Sequence, residues 1–95
     1  MRKTLLAAGA ALLLAAGPAA AQQKTIKIGF ISTFSGPVAV IGNDMRNSFE
    51  LALDHLGRKM GGIPDEVVYE DDGFKPEVGK QKTDKLIESD KVDFL

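Results

Sequence analysis

Residues 24–42 read KTIKIGFISTFSGPVAVIG, and this stretch decides how the rest of the chain is interpreted. From Lys24 to Ile31, β-branched and aromatic side chains alternate with small or polar residues, a pattern typical of a β-strand. Apart from Phe34, the stretch from Ser32 to Gly36 is small and polar, and the pair Gly36-Pro37 favours a sharp turn. The stretch therefore predicts a strand that ends in a tight polar loop.

The spacing of apolar residues changes after this loop. Roughly from residue 43 to residue 60, apolar side chains recur every three or four positions, which lines one face of a helix. Asn43 or Asp44 is a candidate N-cap, and Gly61-Gly62 is a candidate stop because glycine tolerates the left-handed conformation. The predicted apolar face consists of Met45, Phe49, Ala52, Leu53, Leu56 and Met60.

A second strand and a second helix follow. Glu66 to Glu70 predicts a short strand that Asp71-Asp72-Gly73 closes. Pro76 suits the first position of a helix, where its missing N–H would have no partner in any case. Lys91 to Leu95 predicts the opening of a third strand. The second helix has a modest apolar face of Val78, Gly79, Thr83, Leu86 and Ile87.

This alternation of strands and helices predicts an α/β fold. It is typical of a parallel sheet with right-handed crossovers and with helices packed on its faces. Such a sheet must be covered on both sides, and a domain this small buries only about 60% of its unfolded surface. We therefore expect the chain to be the N-terminal β-α-β-α-β portion of a larger lobe.

The first 21 residues have the features of a secretory signal peptide. Arg2 and Lys3 are followed by an uncharged Ala/Leu stretch and by small residues before Gln22, where cleavage is expected. The apolar stretch is shorter than the ~20 residues that a membrane-spanning helix needs. We therefore expect a signal peptide at 1–21 and a secreted, partial lobe at 22–95.

The composition excludes several classes of protein. The chain has no cysteine, which excludes a disulfide framework, thiol chemistry and a lipid-modified cysteine anchor. Without Arg2 and Lys3, ten of the twelve basic residues remain against thirteen acidic ones. Because no basic stripe with interleaved aromatic residues is present, nucleic acid is not an expected partner.

The loop after the first strand is the expected binding region. In open parallel sheets, ligands bind beyond the carboxyl ends of the strands. Ser32, Thr33 and Ser35 offer hydroxyl groups, Gly36 allows a ligand to approach the backbone, and N–H groups at the helix start favour an anion. The alternative, that these residues are present only because turns use them, stays open on this pattern.

Catalytic, nucleotide and metal sites are not indicated. Neither a Gly-x-Gly-x-x-Gly pattern nor a Gly-Lys-Ser/Thr phosphate loop follows the first strand. Asp71 and Asp72 are read as residues that cap a turn, since two adjacent carboxylates are a weak metal signal. His55, the single histidine, is expected on a solvated helix surface. We therefore predict no catalytic residue, no metal and no cofactor.

Several segments resemble a known family. The segments are IKIGF at 26–30, FSGPVAVIG at 34–42, the helix ending near Gly61-Gly62-Ile63, VVYEDD at 67–72 and Lys75-Pro76. Together they resemble the start of periplasmic substrate-binding proteins of branched-chain amino acid type ABC transporters. The resemblance implies a monomer in the periplasm, with two α/β lobes joined by a hinge. The lobes would close over a small ligand and deliver it to a membrane permease.

The resemblance also implies site residues. The loop from Phe34 to Ile41 would form part of one jaw. Leu/Ile/Val-binding members have an aromatic residue at the position of Ile41, and a disulfide cysteine near the position of Phe74. These departures leave the ligand open between a branched-chain or other amino acid, an aromatic acid and an amide. The predicted ligand-binding residues are Phe34, Ser35, Gly36, Pro37 and Ile41.

Two other classes of protein share the predicted architecture. A ligand-sensing domain of a signalling receptor would have the same lobe together with a transmembrane segment elsewhere. An exported α/β enzyme would need catalytic groups outside the residues considered above. Both remain alternatives to a solute-binding protein at this point.

Overall fold

The computed structural model describes residues 24–95, so the predicted signal peptide and its cleavage site lie outside the described residues. Three strands and two helices follow in the order β-α-β-β-α. Their bounds are β1 Ile26–Ser32, α1 Ala39–His55, β2 Lys59–Met60, β3 Ile63–Asp71 and α2 Pro76–Glu88. The predicted first strand and the start of the second helix at Pro76 are confirmed.

The sheet has the order β1-β3-β2. β1 and β3 pair in parallel, in register from Ile26 opposite Asp65 to Ser32 opposite Asp71, which confirms the predicted parallel pairing. β2 pairs antiparallel with the start of β3, and this short strand was not predicted from the sequence. β3 begins three residues before its predicted start. The early start was not predicted because Pro64 and Asp65 disfavour a strand when the sequence is considered alone.

The predicted role of Gly61-Gly62 as a helix stop is wrong. Their φ angles of 57° and 80° make a two-residue hairpin turn between β2 and β3. The helix ends earlier, with Gly57 at φ 69°. The Gly57 N–H bonds Asp54 O at 3.0 Å and the Arg58 N–H bonds Leu53 O at 2.8 Å, which is a Schellman end.

The start of α1 also differs from the prediction. The helix begins at Ala39, and its N-cap, Val38, makes no side-chain capping bond, so Asn43 and Asp44 lie inside the helix. The first turn is closed instead by backbone bonds, from the Ala39 N–H to Gly36 O and from the Ile41 N–H to Val38 O, both 3.1 Å. A helix start that is formed by a backbone turn has no capping side chain to mark it in the sequence, so its position was not predicted.

The two helices cover opposite faces of β1. On one face the Phe30 ring packs against Phe49 of α1, with 5.1 Å between the centroids. On the other face Gly29 lies against α2, where an added Cβ would be 3.0 Å from Leu86 Cδ1. The core residues are Ile28, Leu53 and Leu86, at 8%, 1% and 0% exposure. Of the predicted helical faces, Leu53 and Leu86 are buried, whereas Met45, Leu56 and Ile87 are about half exposed or more.

The predicted third strand is present as one bridge. Phe94 pairs in parallel with Ile28, on the edge of β1 that β3 leaves free. The Gly29 N–H bonds Phe94 O at 2.8 Å, and the Asp93 N–H bonds Lys27 O at 2.7 Å. The connections through α1 and α2 therefore lead to opposite sides of β1, which makes its carboxyl end a topological switch point.

Candidate functional site

The carboxyl ends of β1 and β3 form one rim of the sheet, where Ser32 lies opposite Asp71. The loops that follow the two strands are hydrogen-bonded to each other. The Thr33 hydroxyl donates to Asp72 Oδ1 at 2.6 Å, and the Phe34 N–H donates to Asp71 Oδ1 at 2.9 Å. The two carboxylates thus hold the loop after β1 in place.

Asp71 and Asp72 also order their own turn, as predicted. The Gly73 N–H donates to Asp71 Oδ1 and the Phe74 N–H donates to Asp72 Oδ1, both at 2.9 Å. The Ser35 hydroxyl, together with the N–H groups of Phe34 and Gly73, holds the pKa of Asp71 below its ordinary value of 3.8. The hydrogen bonds that these carboxylates accept from the loop after β1 were not predicted from the sequence.

Asp71→Asn is expected to lower the melting temperature at neutral pH, because a neutral amide accepts weaker hydrogen bonds than a carboxylate. The pKa of Asp71 is lowered on folding, so its stabilising effect is present above pH 3.8 and is lost as the pH falls through the folded value. The deficit of the variant should therefore shrink on acidification. The difference in melting temperature between the full-length wild type and variant is measured by circular dichroism, from neutral pH to below pH 3.8.

The matched control is Asp44→Asn, which makes the same change on the exposed side of α1. Surface changes of this kind usually stay within about 0.5 kcal/mol, so its melting temperature at neutral pH should match the wild type. An Asp71→Asn protein as stable as the control at neutral pH would contradict the proposed tie between the loops.

A niche of about 140 Å³ opens at this rim, between the loops and the start of α1. Ile41 provides an apolar wall of the niche, and Phe74 stands at the edge of the niche with 75% of its surface exposed. Gly42 allows α1 to approach β1 closely, because a Cβ there would lie 1.8 Å from the carbonyl oxygen of Thr33. The lining residues are Ser32, Thr33, Val38, Ile41, Gly42 and Phe74.

A larger and shallower groove of about 610 Å³ runs along α1. It shares Ile41 with the niche but extends towards Met45 and Phe49, away from the strand ends. Because ligands of parallel sheets bind at the carboxyl rim, the niche is the better candidate site.

Residues 24–95 contain no group of three or more His, Cys, Asp or Glu side chains placed to hold a metal ion. His55, the last residue of α1, is exposed, as predicted. Over the same residues, no helix combines the length and the apolar character needed to cross a membrane.

Comparison with protein families decides the identity of the lobe. The family described as periplasmic binding protein matches residues 25–95, which is most of the chain and includes both loops of the rim. The chain belongs to this family. The α/β fold predicted from the sequence and the family resemblance are thereby confirmed.

Individual members of the periplasmic binding protein family are similar over the same region. A Leu/Ile/Val-binding protein homolog of Brucella abortus is 33% identical over the whole chain, which covers 24% of that protein. An ABC transporter substrate-binding protein of Sphaerobacter thermophilus is 42% identical with a TM-score of 0.71. A solute-binding protein of R. palustris in complex with 4-hydroxybenzoate is 36% identical with a TM-score of 0.69.

The two solved structures are each matched by 73% of this chain, which covers 19% of either of them. The chain thus spans about a quarter of the curated relative and about a fifth of the solved structures. The two solved structures are named as a substrate-binding and a solute-binding protein of ABC transporters, and the family is one of binding proteins and not of enzymes, in agreement with the prediction of no catalytic function.

The predicted site residues of this periplasmic binding protein lobe separate into two groups. Ile41 lines the niche. The Phe34 ring instead packs against Tyr69, at 6.0 Å between centroids, and beneath the Arg46 guanidinium at 5.0 Å. The Ser35 hydroxyl contributes to the lowered pKa of Asp71, and Gly36 and Pro37 are exposed at the turn, with Gly36 at φ 76°. Ligand contact by all five residues stays a prediction.

Two features of the site departed from the sequence-based expectation. Fewer N–H groups are available at the start of α1, because those of Ala39 and Ile41 bond turn carbonyls. Phe74 was not among the predicted site residues, although it borders the niche. Its position directly after an Asp-Asp-Gly turn is a signal that could have found it, since that turn ends at the same rim as β1.

Proposed function

We propose that this chain is part of the periplasmic solute-binding component of an ABC importer. Its ligand is an amino acid or a related small carboxylate or amide. The observation that carries the proposal is the niche at the carboxyl rim of β1, bordered by Ile41, in a chain of the periplasmic binding protein family.

The names of the relatives support this class of ligand. One is named as a homolog of a Leu/Ile/Val-binding protein, and another holds 4-hydroxybenzoate. Amino acids and hydroxybenzoates share a carboxylate and an apolar body of similar size. The niche offers the Ser32 hydroxyl, which makes a long contact of 3.7 Å to Met45 Sδ, beside an apolar wall at Ile41, and this combination suits a ligand with both features.

Binding in this proposal works by closure of two lobes. The niche forms one wall, and a ligand held there gains further contacts only when a second lobe closes over it. Because the ligand then binds the closed state more tightly, it shifts the population towards that state. The closed form is the one that a membrane permease would receive. The proposal includes export to the periplasm through the 1–21 signal peptide, and action as a monomer.

The ligand can be identified by a thermal-shift screen of the full-length protein against amino acids, aromatic acids and amides. A specific ligand stabilises the folded state by RT ln(1 + [L]/Kd), which is about 2.7 kcal/mol at a hundredfold excess over Kd. We expect a concentration-dependent rise in melting temperature with at least one of these compounds. A full panel without any such rise would contradict the proposal.

Ile41→Asp is expected to weaken ligand binding at least about tenfold without unfolding the protein, because it puts a charge into the apolar wall of the niche. Ile41 is 60% exposed, so the fold tolerates the change. Val40→Asp is the matched control, since Val40 is adjacent and 64% exposed but does not line the niche. Calorimetry with the ligand from the screen measures both. Equal affinities for Ile41→Asp and the wild type would remove Ile41 from the site.

A further inference from the structure

Phe74 has an unusual backbone conformation for a large residue. Its φ of 61° lies in the left-handed region, which bulky side chains rarely adopt and which costs free energy. The ring is 75% exposed, so packing against residues 24–95 does little to offset this cost. Glycine or asparagine would make the same turn with less strain.

Arg58 has a similar φ of 54°, and its contacts within the lobe account for that conformation. Its N–H completes the end of α1 on Leu53 O, and its guanidinium binds Asp54 at 2.7 Å and also Glu50. The side chain and the backbone of Arg58 are therefore both used within the lobe. The ring of Phe74 has no comparable use there among the contacts described.

The position of Phe74 is nevertheless firmly held. Its N–H donates to Asp72 Oδ1 at 2.9 Å, and the Lys75 N–H donates to Asp72 O at 3.0 Å. Asp72 in turn accepts from the Thr33 hydroxyl at 2.6 Å. The backbone that carries the ring is thus fixed relative to the end of β1, and the ring borders the same niche as Ile41.

We propose that Phe74 is a specificity-determining residue that contacts the bound ligand and favours carboxylates with a flat aromatic ring over branched aliphatic ones. This inference rests on the proposed function and narrows its ligand class. Two aromatic rings in contact gain an attraction in addition to that from the burial of their surface, and an aliphatic side chain in the same place lacks this attraction. The exposed ring stands at the edge of the niche on a strained and firmly held backbone, so the position of its attachment is set before a ligand binds.

The test compares the wild type with Phe74→Asn in the full-length protein, using 4-hydroxybenzoate and leucine as probes in calorimetry. Asparagine tolerates the left-handed conformation and removes the ring. We expect the affinity of the variant for 4-hydroxybenzoate to fall about tenfold, and that for leucine to stay within about twofold. The melting temperature without ligand should be unchanged or higher. Phe74→Tyr, which keeps the ring, should keep the preference for the aromatic acid.

Three results would overturn this role of Phe74 while leaving the proposed function intact. They are a wild-type protein that binds leucine but not 4-hydroxybenzoate, an equal loss of both affinities in Phe74→Asn, and a marked fall in its melting temperature. The last would show that the ring is packed for stability. A wild type that binds no carboxylate, amino acid or amide would instead reject the proposed function, and this inference with it.

Discussion

Gly42→Ala is expected to destabilise the protein by about 3 kcal/mol or more and to distort the candidate site, because overpacking of a close contact forces the backbone to move. An added Cβ would lie 1.8 Å from the carbonyl oxygen and 2.6 Å from the carbonyl carbon of Thr33. Both atoms are backbone, so no side-chain rotation relieves the clash. The start of α1 must therefore shift away from the end of β1.

Gly79→Ala is the matched control for this prediction. Gly79 lies in α2, and its added Cβ would meet Asp72 Cβ at 3.7 Å, an ordinary contact. Alanine in a helix is favoured over glycine by about 1 kcal/mol, so this variant should be slightly more stable than the wild type. Denaturant unfolding of the full-length protein measures both changes. A Gly42→Ala protein as stable as Gly79→Ala would show that the contact at Gly42 is not tight.

Ile28→Asp is expected to abolish folding, because it buries a carboxylate without a partner at the centre of the sheet. Ile28 is 8% exposed and pairs with Val67 on one side and Phe94 on the other. The penalty for an unpaired buried ion is several kcal/mol, comparable with the total stability of a domain. Soluble expression and far-UV circular dichroism of the full-length protein report the loss.

Two variants define what is special about Ile28. Ile28→Val removes only one methyl group and should cost about 1 kcal/mol, so the fold is kept. Ile41→Asp makes the same substitution by aspartate at a site that is 60% exposed, and it should keep the fold as well. A cooperative melt of Ile28→Asp close to that of Ile41→Asp would show that β1 is not the centre of the core.

The sequence predicted the parts of this lobe that local patterns encode. The alternating apolar residues of β1 and the proline at the start of α2 placed both elements correctly. The switch from strand to helix spacing implied a parallel pairing, which Ile28 opposite Val67 confirms. These predictions succeeded because burial of one face imposes a period that is visible in a single sequence.

The ends of α1 could not be predicted in the same way. The helix starts at Ala39 through a backbone turn and ends at His55, ahead of Gly57, although Asn43 and Gly61-Gly62 offered the usual local signals. A glycine that ends a helix and one that makes a hairpin turn both need positive φ, so residue type does not separate the two roles. Pairing of β2 with β3 decides between them.

The contacts that hold the lobe and its candidate site together join residues far apart in the chain. The Thr33 hydroxyl reaches Asp72, and the Tyr69 hydroxyl of β3 donates to Glu50 of α1, which also binds Arg58. The bond from Tyr69 holds the pKa of Glu50 below its ordinary value, and burial raises that of Tyr69. No spacing rule relates these partners, because they meet only after the crossovers have formed.

Local periodicity was thus enough to predict an α/β lobe with its first loop at the carboxyl rim of the sheet, whereas Ile41 was selected through the resemblance to periplasmic substrate-binding proteins. Only the packed chain showed that Gly42 touches the Thr33 carbonyl and that Phe74 borders the niche beside Ile41. The difference has a physical cause. Burial repeats along an element and so leaves a periodic trace, whereas contacts between loops depend on how separate elements pack together.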